Sequence, residues 1–164
     1  MILVERSGSV AAPVEHVWEV VRKAEQLPAW LVGVELVEVL SGDGFGRRQR
    51  VHTADGAVLS AEVFAYRAPT LIAWRERAEG TGARAEARTE MHVELTPEEG
   101  GTLVRLIVVR WPPGPVSAAL QRLGVRRVGA GLERSLARLA DLTLTLVDHE
   151  VSGVQPGHSE PLTS

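Results

Sequence analysis

Cysteine is absent from this chain of 164 residues. Disulfides, thiolate metal sites and a cysteine nucleophile are therefore excluded. Aromatic residues are scarce, at 4%, yet four of them are tryptophans. Two of those, Trp18 and Trp30, fall in one short stretch, "PVEHVWEVVRKAEQLPAW" (13–30). No strong positive charge is present: the formal net charge is −3, which gives no electrostatic reason to expect nucleic acid. No apolar run approaches the roughly 20 residues needed to span a bilayer. The opening "MILVERSGSV" carries Glu5 within a short apolar run, which does not read as a signal peptide, so the cytoplasm is the expected location. No Gly-rich loop stands between a strand and a helix, so nucleotide binding is not expected. His16, His52, His92, His149 and His158 show no metal-ligand spacing, and no metal or cofactor is expected.

What remains is ordinary for a globular domain, with 45% hydrophobic and 24% charged residues. One domain is expected over 1–147, followed by a disordered tail over 148–164 that is polar and carries Pro and Gly. Residues 2–10 read as a strand. Pro13 suits the first position of a helix, where its missing N–H costs nothing. Val14, Val17, Trp18 and Val21 then form one apolar face, and Pro28 ends the helical stretch. Strands follow at 32–40, 47–54, 57–67 and 70–78, with Asp55-Gly56 as a strong hairpin signal.

Residues 84–95 give the clearest pattern. Ala85, Ala87, Thr89, Met91, Val93 and Leu95 alternate with charged residues and His92, so one face is expected to be buried and the other wet. A last strand covers 103–111 and is stopped by "WPPGP" (111–115). From Pro115 to about Val147 the pattern is helical, with Leu132, Leu136, Leu139, Leu142 and Leu146 lining one face. Gly124, Gly129 and Gly131 predict a bend or break in its first half. The fold class is α+β: about seven antiparallel strands, one or two short helices between the first two strands, and a long C-terminal helix covering the dry face. A curved sheet wrapped around one helix leaves room for a pocket.

Particular residues resemble a known family at this point. Ala12-Pro13, Val17-Trp18, Pro28 and Trp30 are similar to the opening of the START-like superfamily, polyketide cyclase/dehydrase type, with the helix-grip fold. Gly44 and Gly46, Pro69 before "LIAWR", "GGTLVRL" (100–106) and "GLERSLARLADL" (131–142) extend the resemblance over about residues 2–146. It implies a ligand cavity between the sheet and the C-terminal helix. Ala85, Ala87, Thr89, Met91, Val104, Leu106 and Val108 are candidates for its lining. Trp30, Phe64, Trp74 and Leu123 are candidates for its mouth or walls, while Trp18 is expected in the core.

Arg110 falls inward if strict alternation holds after Val104, Leu106 and Val108. There it could bind a carboxylate or stabilise an enolate. Tyr66 and Glu62 share parity with Phe64, and period alone leaves the inward face of strands 47–54, 57–67 and 70–78 open. Arg47, Arg48 and Arg50 read as a solvated hairpin face. Arg122, Arg126 and Arg127 form a second basic patch, suited to an acidic partner such as an acyl carrier protein. Three functions fit: a carrier of a small hydrophobic molecule, an aromatase/cyclase with Arg110 and Tyr66 as catalytic groups, or a partner-binding domain with a closed core. The aromatic cyclases resemble this chain in fold but use an inward arginine on a middle strand, and "VLSAEVFAY" (58–66) has none. Monomer and homodimer are both compatible.

Overall fold

The computed structural model describes residues 1–153, leaving aside side-chain surroundings at positions 83, 84, 116, 117 and 121. The chain runs β1 (Ile2–Val10), α1 (Val14–Val21), a 3-10 turn (Ala24–Gln26), α2 (Leu27–Trp30), β2 (Val34–Ser41), β3 (Arg48–Thr53), β4 (Val58–Arg67) and β5 (Leu71–Ala78). It continues as α3 (Ala83–Glu86), β6 (Arg88–Glu98), β7 (Gly101–Trp111), α4 (Pro115–Leu123) and α5 (Val125–Ser152). The seven strands form one sheet in the order β1-β7-β6-β5-β4-β3-β2. Every neighbouring pair is antiparallel. With α5 laid along this sheet, the architecture is the helix-grip α+β fold.

Local chemistry accounts for most of the elements. Pro13 sits at the start of α1, and Val14, Val17, Trp18 and Val21 are its buried stripe. Pro28 opens α2 instead of closing a longer helix, because a ring without an N–H fits a first turn. Asp55-Gly56 turns the β3–β4 hairpin, with Gly56 at φ 88°. The β6–β7 turn is tight: Glu98 already pairs with Gly101.

The strand expected from residue 84 begins instead at Arg88. Ala85 lies in the single turn α3 and Ala87 caps it. The reason is the lack of a partner strand. The β5–β6 ladder ends at Glu76↔Thr89, and Gly80 and Gly82, at φ 110° and 98°, carry the chain away from the sheet. Without cross-strand pairs, the alanines and Glu86 follow their helical preference.

The expected break in the C-terminal helix falls at Gly124, between α4 and α5. Gly129 and Gly131 remain inside α5, which at 28 residues is about 42 Å long. Gly129 is where the helix meets β1: an added Cβ would stand 2.3 Å from Nη2 of Arg6. That arginine donates from Nε to Glu133 at 3.0 Å and from Nη1 to the Glu5 carbonyl at 2.7 Å. Leu136 packs over Gly8. Leu132, Leu136 and Leu139 are buried against the sheet, whereas Leu146 is exposed. The helix continues through Ser152, so the segment from Asp148 to Ser152 is helical where a tail was expected. The rest of that expected tail, 154–164, lies outside the described residues.

Candidate functional site

The sheet face toward α5 can be read off the register. Ile72↔Val93, Val93↔Leu106, Trp74↔Met91 and Met91↔Val108 are apolar pairs on that face, and all six residues are buried. One step toward the β3–β4 hairpin the chemistry changes. Glu76 is opposite Thr89, and Thr89 is opposite Arg110. Three polar side chains on β5, β6 and β7 thus make one row across the sheet.

This row faces a cavity of about 760 Å³, open to solvent, between α5 and the sheet. Leu59, Met91 and Val108 of the sheet and Val128, Leu132 and Ser135 of α5 contribute to its walls. The space exists because α5 leans toward β1, α1 and α2 and because small residues line the opening: Gly33, Ala54, Ala57, Gly124 and Gly131. Among the described residues, a Cβ added at Gly131 would meet nothing within 4 Å. One lip of the opening is pinned to α5. The Val32 N–H donates to Ser135 Oγ at 3.0 Å, and that hydroxyl donates to the Gly131 carbonyl at 2.8 Å. Gly33 follows at φ 91°, a backbone conformation that favours glycine. Asp55, Arg127 and Arg134 also border the cavity and are exposed.

The two charged groups of the row are held apart. Trp74, itself buried, donates its indole N–H to Oε1 of Glu76 at 2.7 Å. Strands are about 4.8 Å apart, so the Glu76 and Arg110 backbones are about 10 Å apart. Among the described residues no ion pair joins them, and Arg110 donates no hydrogen bond. Burial pushes the Glu76 carboxyl upward, opposed by the Trp74 hydrogen bond and then the Arg110 charge. Burial pushes the Arg110 guanidinium downward, opposed by Glu76.

The structure brings four of the sequence candidates together in the cavity wall: Thr89, Met91, Val108 and Arg110. Val104 and Leu106 share their face but lie deeper in the core at 0% exposure. Trp74 is behind Glu76, as its hydrogen-bonding support. Trp30 is fully buried, and its neighbours Leu31, Val32 and Gly33 form the lip in its place. Ala85 and Ala87, expected as inward strand positions, are in and beside α3, outside the lining. Leu123, expected near the walls, is 82% exposed at the end of α4.

Phe64 and Tyr66, taken to share one face, are on opposite sides of the sheet. A β-bulge between Val63 and Ala65 shifts the register. Phe64 is on the outer face, under the Arg75 guanidinium at 4.4 Å and edge-on to His92. Tyr66 is inward but packs edge-on against Trp18, with centroids 5.2 Å apart. Its row contains Ile72, whereas that of Arg110 contains Glu76. Their backbones are therefore offset by about 13 Å along the strands and about 14 Å across them. Arg110 and Tyr66 cannot act on one atom.

Arg47, read as part of a solvated hairpin, is only 3% exposed. It donates from Nε to Gln49 at 2.9 Å and from Nη1 to the Arg22 carbonyl at 2.7 Å, holding the α1 exit to β3. Arg122, Arg126 and Arg127 are exposed, and Arg127 borders the cavity. The polar group of the row that sequence reasoning passed over is Glu76. Its signal was parity with Ile72 and Trp74, which becomes decisive once those two are known to face inward.

A family model described as polyketide cyclase/dehydrase and lipid transport matches residues 1–143. The chain belongs to this family. The chain shares its fold with a broader set of solved structures. Protein MLL2253 from Mesorhizobium loti is 19% identical with a TM-score of 0.69, over 90% of this chain and 98% of that one. A protein from Rhodobacter sphaeroides is 21% identical with a TM-score of 0.66, over 88% and 93%. DynU16, from the dynemicin biosynthetic locus, is 24% identical with a TM-score of 0.63, over 87% of this chain and 47% of that one. These likenesses show the fold. No curated protein matches the sequence. Among the described residues, no helix is long and apolar enough to cross a membrane, and no group of three His, Asp or Glu side chains could hold a metal ion.

Proposed function

We propose that this family member binds a small, largely apolar molecule in the cavity between α5 and the sheet. The observation that carries this reading is the open space of about 760 Å³, within the range of small-molecule sites, with apolar walls and a few convergent polar groups. A domain with a closed core would have no such space. Burying about 300 Å² of apolar ligand surface at ~25 cal/mol/Å² supplies roughly 7 kcal/mol before ordering costs, enough for about micromolar binding. The test is native mass spectrometry of the purified protein, followed by displacement of a fluorescent apolar probe with lipids, sterols and aromatic polyketides. Saturable displacement by one class supports the reading. An empty protein that none of them enters removes it.

Glu76 and Arg110 on one wall favour a second reading, a cyclase that promotes aldol closure and loss of water. Glu76 would take the proton from a carbon beside a carbonyl, and Arg110 would hold the resulting enolate oxygen. Tyr66 has no part in it. On this reading Arg110→Ala abolishes cyclised product while affinity for the bound chain stays within a few-fold. Unchanged turnover rejects it.

A further inference from the structure

Resting on the ligand-binding reading, we infer that the molecule housed here is an amphiphile with one carboxylate, which sits on Arg110 beside Thr89 while its apolar body lies along Met91, Val108 and Leu132.

Arg110 is a half-buried cation in the cavity wall, and it has no hydrogen-bond acceptor among the described residues. A guanidinium partly withdrawn from water gains from an anionic acceptor that takes its donors. Glu76 is the nearest acidic candidate, but its Oε1 accepts from Trp74 at 2.7 Å and Thr89 stands between it and Arg110 in the register. The fork of donors on Arg110 therefore opens into the cavity. Its geometry matches the two oxygens of a carboxylate. The adjacent Thr89 hydroxyl can donate to the same group.

The charge around the opening agrees. Among the described residues, three arginines, Arg110, Arg127 and Arg134, line the cavity against two carboxylates, Glu76 and Asp55. The cavity is thus locally positive on a chain of net charge −3. That balance attracts one negative charge. A dianionic phosphate would face Glu76 with little left to neutralise it, so the carboxylate is the favoured anion. The row lies where the apolar lining gives way to the hairpin side, which puts the acid group and the hydrocarbon body on different parts of the wall.

Glu76 then tunes the site. When ionised, it competes for the field of Arg110 and repels an incoming carboxylate. When protonated, it does neither. The other charged groups that border the same cavity are Arg110 from β7, Asp55 from the β3–β4 hairpin, and Arg127 and Arg134 from α5. Binding of the acid is accordingly stronger at pH values where Glu76 is protonated and the ligand is still ionised.

The experiment compares dansyl-labelled undecanoic acid with its methyl ester by fluorescence titration, near neutral pH and at mildly acidic pH. The acid binds about ten-fold or more tightly than the ester. R110Q brings the acid-to-ester ratio close to one, and R110K restores part of it. E76Q raises the ratio and removes its pH dependence. Equal affinity of acid and ester for the native protein overturns the inference and leaves the cavity reading standing, as does an unchanged ratio in R110Q. Failure of both probes to bind overturns the two together. The comparison of acid with ester on the native protein needs no variant, so it decides the matter even if R110Q misfolds.

Discussion

Gly131 separates folding from binding more cleanly than any other position. It lies within α5 and borders the cavity, and among the described residues a Cβ placed there finds nothing within 4 Å. Glycine in a helix interior is less favourable than alanine by about 1 kcal/mol. Gly131→Ala therefore raises stability by about 1 kcal/mol, or about 2–4 °C in Tm for a chain of this size. Gly131→Leu keeps most of that propensity gain and sends a branched side chain into the volume that a guest occupies. If the guest loses contact over about 55 Å² of apolar surface, ~25 cal/mol/Å² gives about 1.4 kcal/mol, a ten-fold weaker affinity. The leucine variant thus melts at or above the temperature of the native protein and binds an apolar fluorescent probe about ten-fold less tightly. The alanine variant melts higher and binds within about three-fold of the native protein. Differential scanning fluorimetry and a probe titration on the same samples read both quantities. A fall in Tm for Gly131→Ala would show that the space beside α5 is filled, and undiminished probe binding by a folded Gly131→Leu protein would put the guest elsewhere.

Other expectations follow from equally local geometry. At Gly101 an added Cβ would lie 2.1 Å from the Val10 carbonyl oxygen, backbone against backbone. Gly101→Ala forces β1 off β7 near the buried bond from Thr102 Oγ1 to the Ala12 carbonyl, 2.8 Å, and costs about 3 kcal/mol or more in urea unfolding. A cost below about 1 kcal/mol would contradict this. Gly129→Ala meets only the tip of Arg6, which can swing aside. The loss of its exposed pair with Glu133, worth about 0–1 kcal/mol, is offset by about 1 kcal/mol of helix propensity, so the same assay finds little change. Glu76 gives a pH signature. Its folded-state pKa is raised by burial, so the folded protein holds that proton more tightly than the unfolded chain. Its stabilising contribution is present below the ordinary carboxylate range and is lost as pH rises through the folded pKa. Glu76→Gln should stabilise the protein near neutrality and not in acid. The difference between the native and E76Q curves, measured from about pH 4 to 8, isolates this from Glu5, Glu19 and Glu79, whose lowered values act with the opposite sign. A flat difference would refute it.

Strands and helices were legible where one period dominated. Thr89 to Leu95 alternates cleanly and is a strand. The stripe Val14, Val17, Trp18 and Val21 is a buried helix face. The same alternation over residues 84–87 misled, because period cannot reveal whether a partner strand is present. On β4 the bulge after Val63 reverses parity, so Phe64 and Tyr66 part company although the sequence keeps them in step. On β5, Ile72, Ala73 and Trp74 are all apolar and all buried, which conceals the inward direction and with it Glu76. The sheet side of the site was readable from Thr89, Met91, Val108 and Arg110. The lip at 31–34 and the α5 positions were not, since their convergence depends on the lean of a helix a hundred residues away in sequence. Arg47 was misread for a related reason: its charge suggested water, but a neighbouring amide and a helix-end carbonyl satisfy it inside.

The anchoring of α5 has a wider implication. The rod is clasped along one margin, where Arg6 lies under Gly129 and Leu136 rests over Gly8. Its opposite flank, with Gly131, Arg127 and Arg134, borders open space. Substitutions on that flank can reshape the guest's quarters with little disturbance to the residues that make the domain fold. On the ligand-binding reading, selectivity and foldability fall to different sides of the same helix, so single steps change the guest and spare the fold.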